Sequence, residues 1–239
     1  MIEYQLIRSN KRKSIALQVK QGVVIVRAPH YVKESYIQQL VSQKSSWLEA
    51  KLLIQNNQLK DHRLNHQGNV YSDNGFLWFQ GTRKNISLTF SINNSLENND
   101  NTIQITLAQR YKKLSETQQQ KAAKRLVEAW FKQSAITLLS NKVEYFSAQL
   151  NLYPSSIKVR QYKARWGSCN NNGQLSFNYL LMMVPDWVVD YVVVHELCHL
   201  KHLNHSRQFW ALVAAYFPRF QEAKAWLKDH QHHLQWPAL

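Results

Sequence analysis

Apolar and polar positions alternate through residues 3–29, with β-branched clusters at Ile15–Val19 and Val23–Val26 on either side of Gln21-Gly22. A period of two around a turn predicts a strand hairpin, and Pro29 closes it. From Lys33 to Gln55 the period changes. Ile37, Leu40, Val41, Trp47, Leu48 and Leu52 fall at helical spacing with no Gly or Pro between them, which predicts one amphipathic helix. Further strands are expected over Phe76–Phe90 and Thr102–Leu107. The runs Gln55–Asn69 and Ser91–Asn101, rich in Asn and Gln, read as surface connections.

Glu116–Leu150 contains neither Gly nor Pro and sets Ala123, Leu126, Val127, Trp130, Phe131, Ile136, Leu138 and Leu139 near one face, so a long helix is expected. Ile157–Arg165 alternates again, and Gln174–Met183 follows a turn at Asn170–Gly173. Together these predict a second hairpin. Pro185 suits the first turn of a helix running from Asp186 to about Leu203, because the N–H it lacks would have no partner there. Helices over Ser206–Tyr216 and Phe220–His230, parted by Pro218, complete the chain, and no internal repeat is visible. The fold class is therefore α+β. A β-rich region with one helix spans 1–112, and a mainly helical part with a small β-hairpin spans 113–239.

Composition narrows the class. Of the 239 residues 44% are hydrophobic and 12% aromatic, enough to bury a core and too apolar for a disordered chain. Two cysteines, Cys169 and Cys198, do not make a disulfide scaffold and suit a reducing compartment. The opening residues lack the apolar core of a secretory signal, and no apolar run approaches the roughly 20 residues of a membrane span. A cytoplasmic protein without a membrane helix is expected. Thirty Lys and Arg against fifteen Asp and Glu give a net charge of +15, which attracts phosphate-bearing partners. Arg8–Lys33 holds seven basic residues and no acidic one, and Tyr145–Pro185 again holds no acid.

That second acid-free stretch leads into YVVVHELCHLKHLNHS. His195 and His199 stand four apart, so on a helix both imidazoles leave one face and can share an ion. Glu196 lies one step around the helix, beside such an ion rather than on it. Zinc lowers the pKa of a bound water to about 7, and a neighbouring carboxylate can take its proton and deliver it to a leaving group. One zinc per chain and a hydrolase follow. The apolar run Val188–Val194 implies a buried helix, where unpaired polar groups would be costly.

A catalytic zinc needs a third protein ligand, and three residues compete. His202 is seven residues beyond His195, about 10.5 Å along a straight helix, which is too far for one ion to reach while keeping His199. His205 follows Asn204, a residue tolerant of the left-handed conformation that ends helices, so a turn there would swing it back. Glu222, in a later helix, stays open as the alternative. Cys198 reads as a small buried hydrophobe rather than a ligand.

In RWGSC at Arg165–Cys169, the Phe177-Asn178 step, Pro185, YVVVHELCHL at Tyr191–Leu200, and NHS followed by Phe209-Trp210, the chain resembles the YgjP-like family of zinc metallopeptidases. RSNKRKSIALQV and VIVRAP near the amino terminus extend the likeness over nearly all of it. The resemblance implies a zincin-like catalytic part, with His195, His199 and His205 as zinc ligands and Glu196 as acid/base. The layout is also similar to SprT-like proteases that act on DNA-bound proteins. Within RWGSC, Trp166 and Gly167 are expected to shape the hairpin and Arg165 to face substrate.

Three functions fit these residues. The first is a zinc peptidase acting on peptides or proteins. A second is a hydrolase of phosphoanhydrides or other phosphorylated substrates, suggested by Lys158, Arg160, Lys163 and Arg165 just before the metal helix. Third comes a nucleic-acid-associated protease docked through its basic surface.

Overall fold

The computed structural model describes residues 2–20, 22–53, 71–73, 75–162, 165–230, 234 and 236. The connection expected at Gln55–Asn69, together with Gln21 and Lys163, lies outside the described residues. The chain divides into two compact units, Met1–Gln67 and Gly68–Leu239.

In the first unit, strands β1 (Tyr4–Ser9), β2 (Ala16–Lys20) and β3 (Val23–Pro29) form a sheet in the order β1-β3-β2. β2 and β3 make the expected hairpin, and Gly22 sits in its turn with φ +76°. β1 pairs with β3 in parallel, which alternation alone does not reveal. The most apolar strand is central and buries Val24, Val26 and Ala28. Helix α1 (Glu34–Gln43) covers it with Ile37 and Val41. The expected single helix is broken at Lys44, whose ψ of 12° leaves the helical region, and helical backbone resumes over 45–53. The break turns Leu48 into the core and leaves Trp47 45% exposed, against the expectation that both share one buried face.

The second unit opens with a sheet of β4 (Phe76–Phe79), β5 (Thr82–Ser91), β6 (Ser95–Asn98) and β7 (Thr102–Ala108), in the order β4-β5-β7-β6. Its buried Leu77, Phe79, Ile86, Ile103, Ile105 and Leu107 share one core with helix α2 (Glu116–Leu150). α2 buries Ala123, Val127, Phe131, Ala135, Leu139 and Val143. Steps of four overshoot the 3.6-residue turn by about 40° each, so this stripe winds around the helix. Its far end thereby faces other elements than the sheet, and Ile136, expected on the buried face, is 45% exposed. Asn151 ends α2 in the left-handed conformation, at φ +52°.

The third sheet, β8 (Ser156–Arg160), β9 (Gly167–Cys169) and β10 (Gln174–Asn178), corrects the expected pairing. β8 runs parallel to β10, and the hairpin is made instead by β9 and β10. β8 stops at Arg160, and Tyr179–Met183 forms a fully buried 3₁₀ turn rather than the end of a strand. That turn feeds helix α3 (Asp186–Cys198), and α4 (Arg207–Tyr216) and α5 (Phe220–His230) follow.

The β4–β5 turn anchors the entry to α3. Gln80 N–H donates to the Met182 carbonyl at 2.7 Å and Gly81 N–H to that of Met183 at 3.1 Å. Gly81 has φ +77°, and a Cβ there would meet Pro185 Cγ at 2.6 Å. Lys142 of α2 then ties down Asp186, at 2.8 Å, and Asp190 in the first turns of α3. Among the described residues the architecture is α+β, with three small sheets and helices.

Candidate metal centre

α3 is apolar on nearly all sides: Val188, Val189, Val192, Val193, Val194 and Leu197 are each at most 3% exposed. Beyond Asp186 and Asp190, which pair with Lys142, its acidic and imidazole side chains gather at its end, where His195, Glu196 and His199 line a cleft. α3 also ends sooner than the expected Leu203. His199 caps it, and tight turns follow in which Leu200 N–H donates to Leu197 O at 3.0 Å and His202 N–H to Cys198 O at 3.0 Å. This early exit returns the chain to the helix. Asn204 is not left-handed, so the turn foreseen there is made by these bonds instead. Ser206 then caps α4, accepting from Phe209 N–H at 3.3 Å.

One nitrogen from each of His195, His199 and His205 lies within 4.8 Å of the other two. His195 Nε2 and His205 Nε2 are 3.1 Å apart. His199 Nδ1 donates to the His202 carbonyl at 2.9 Å, which fixes the tautomer and leaves the Nε2 lone pair free. His195 Nδ1 is 3.4 Å from the Tyr191 hydroxyl. Burial above all, with the two neighbouring imidazoles and the Lys224 ammonium adding to it, pushes the His195 pKa down to about 3, so this imidazole stays neutral. Burial also lowers His199. Phe209, fully buried, underlies all three rings at 4.5 to 5.0 Å between centroids.

These donors fit zinc. Zn–N bonds of about 2.0–2.1 Å in a tetrahedron set ligand nitrogens about 3.3–3.5 Å apart, so small ring rotations suffice. The anchored Nδ1 of His199, the neutral imidazole of His195 and the open cleft above the three rings are what such an ion requires.

Glu196 is 5% exposed, and its Oε2 has no hydrogen-bond partner among the described residues. Burial pushes its pKa up to about 8, with Arg165 pulling in the opposite direction. Gly167 of β9 lies against this carboxyl: a Cβ there would stand 2.6 Å from Oε1. The cleft measures about 310 Å³ and is lined by the three histidines, Glu196, Arg165, Leu203 and the three residues of β9.

The structure thus brings His195, Glu196, His199, His205 and Arg165 to one cleft. Glu222 is not among them. It is exposed and paired with Arg219 at 2.8 Å. His202 contributes its carbonyl and not its ring. Cys198 is fully buried, and burial pushes its thiol up to about 12. Lys158 and Arg160 do not line the cleft, and Arg160 donates to the Tyr162 hydroxyl at 2.5 Å. The parts taken by Gly167, Phe209 and Cys169 depend on contacts between distant segments. Only the adjacency of RWGSC and FW to the histidine motif hinted at them.

The profile of the YgjP-like metallopeptidase domain matches residues 13–230. No curated protein matches the chain significantly. Among solved structures, the metallopeptidase zymogen abylysin of Pyrococcus abyssi is 22% identical with a TM-score of 0.36, over 39% of this chain and 95% of that one. Jannalysin of Methanocaldococcus jannaschii, also a metallopeptidase zymogen, is 21% identical with a TM-score of 0.36, over 39% of this chain and 96% of that one.

Proposed function

The chain belongs to the YgjP-like family of metallopeptidase domains, and from that premise we propose that it is a zinc peptidase in which His195, His199 and His205 hold one ion and Glu196 handles the proton. The observation that carries this reading is the cluster of three imidazole nitrogens within 4.8 Å beside a buried carboxyl whose Oε2 has no partner among the described residues. Zinc, when bound, supplies a Lewis acid that polarises a carbonyl and lowers the pKa of water. Glu196 takes the proton from the attacking water at its free oxygen and passes it to the departing amine. A carboxylate held at that place can accept the water's proton and return it to the departing amine.

β9 is an edge strand of its sheet and lines the cleft, so an extended peptide can lie along it and pair with its backbone. Arg165, exposed in the same cleft, is the group suited to a substrate carboxylate or carbonyl. Among the described residues Lys158 and Arg160 do not line the cleft, so beyond Arg165 nothing there favours a phosphorylated substrate.

Two measurements test this. Glu196→Gln is expected to keep about one zinc per chain and to lose peptide hydrolysis by at least 10²-fold. His205→Ala is expected to weaken zinc binding as much as His199→Ala does, while Glu222→Gln leaves it unchanged. Wild-type turnover in the first variant, or loss of zinc in Glu222→Gln, overturns the assignment.

A further inference from the structure

His205 is the weakest-held of the three histidines. His195 and His199 ride on α3 or its cap, each with its Nδ1 near a side-chain or backbone oxygen. His205 belongs to no helix and is exposed. What flanks it is aromatic. The Trp210 indole stacks on its imidazole, 5.5 Å between centroids and 25° from parallel. Phe220 of α5 stacks on Trp210 in turn, at 5.4 Å and 22°. Lys224, one helical turn on, sets its ammonium 4.2 Å from the indole centroid. Phe209 meets the imidazole edge-on at 4.9 Å and 78°, blocking a second direction.

An exposed loop imidazole has several rotamers, and only one points Nε2 at the other two nitrogens. A flat ring stacked against its face removes most of the others, and the indole is itself held by an aromatic ring and a cation from a separate helix.

We propose that Trp210 is the positioning residue for the third zinc ligand, with Phe220 and Lys224 of α5 holding the indole in place. This rests on the reading of His205 as a ligand. Orientation of a ligand by its neighbours is worth roughly 10 to 100-fold in metal affinity. Trp210→Ala is therefore expected to weaken zinc binding by roughly that factor, while Trp210→Phe, which keeps a stacking face, retains most of it.

A thermodynamic cycle separates positioning from general packing. Zinc affinity is measured by chelator competition for wild type, Trp210→Ala, His205→Ala and the double variant. If Trp210 acts through His205, the indole substitution has no further effect once the imidazole is gone. If the two losses multiply instead, Trp210 acts through general packing or through its contact with His195, 5.8 Å between centroids, and the proposal is overturned. A wild-type affinity in His205→Ala overturns the ligand assignment itself, a distinct result. Should Trp210→Ala fail to fold, Trp210→Leu fills the volume without offering an aromatic face and takes its place in the cycle. Phe220→Leu adds a check at a distance: a smaller loss of zinc affinity is expected, and it too should vanish in the His205→Ala background.

Discussion

Glu196 works as proposed only if its carboxyl is held where a water can meet it, and one glycine decides that position. Gly167 stands so close that a single added carbon would lie 2.6 Å from Oε1 and 2.8 Å from Cδ. The backbone there does not require glycine by its φ; the demand is for space. Gly167→Ala is thus expected to displace the carboxyl while sparing the imidazoles. Misplacement of a reacting group by about 1 Å costs on the order of 10²-fold in rate, so kcat should fall by about that factor with one zinc per chain retained. A variant with normal kcat would show that Glu196 tolerates the shift. At this scale the clustering of the candidate site's residues is largely legible in the sequence. The four-residue spacing of His195 and His199, with Glu196 between, follows from helix geometry alone. His205 was reachable by arguing that the chain must turn back, although the turn is built by bonds to Leu197 and Cys198 and not by Asn204. Gly167 and Trp210 were not legible in their roles, because each acts on a residue far along the chain.

Periodicity told helices from strands well and told partners poorly. The bounds of α2 agree with the sequence reading, with Ser115 capping its start and left-handed Asn151 its end, and α5 spans the expected Phe220–His230. Strand pairing is different: alternation marks β8 and β10, but nothing local says that they run parallel or that the short β9 completes the hairpin. The same limit applies to which face of α2 is buried. A stripe stepping by four winds around the helix, so Phe131 lies in the core while Ile136 points outward. Phe131 makes ring contacts with Phe79 at 5.8 Å, Trp130 at 5.4 Å and Trp236 at 5.0 Å. Phe131→Ala is expected to cost roughly 3–5 kcal/mol in denaturant unfolding, whereas Ile136→Ala should stay within about 0.5 kcal/mol. Equal losses would mean that the helix face has been misassigned.

At the scale of the whole molecule, the sequence reading drew its boundary at 112/113, where the catalytic part was thought to open. The chain divides into the compact units Met1–Gln67 and Gly68–Leu239, because the β4–β7 sheet shares its core with α2 and its β4–β5 turn bonds to the segment entering α3. The first unit keeps a core of its own, six buried apolar side chains among the described residues. So small a core cannot spread the loss of one member. Ile37 is fully buried, and Ile37→Ala should cost roughly 2–5 kcal/mol at its site. The consequence is expected to be local. Amide-exchange protection should fall over β2, β3 and α1, with zinc content and turnover of a short peptide retained, because the ligands and Glu196 all lie in the second unit and draw on a different core. If the substitution strips zinc or abolishes turnover along with that protection, the two units stand or fall together and the catalytic unit is not stable by its own packing.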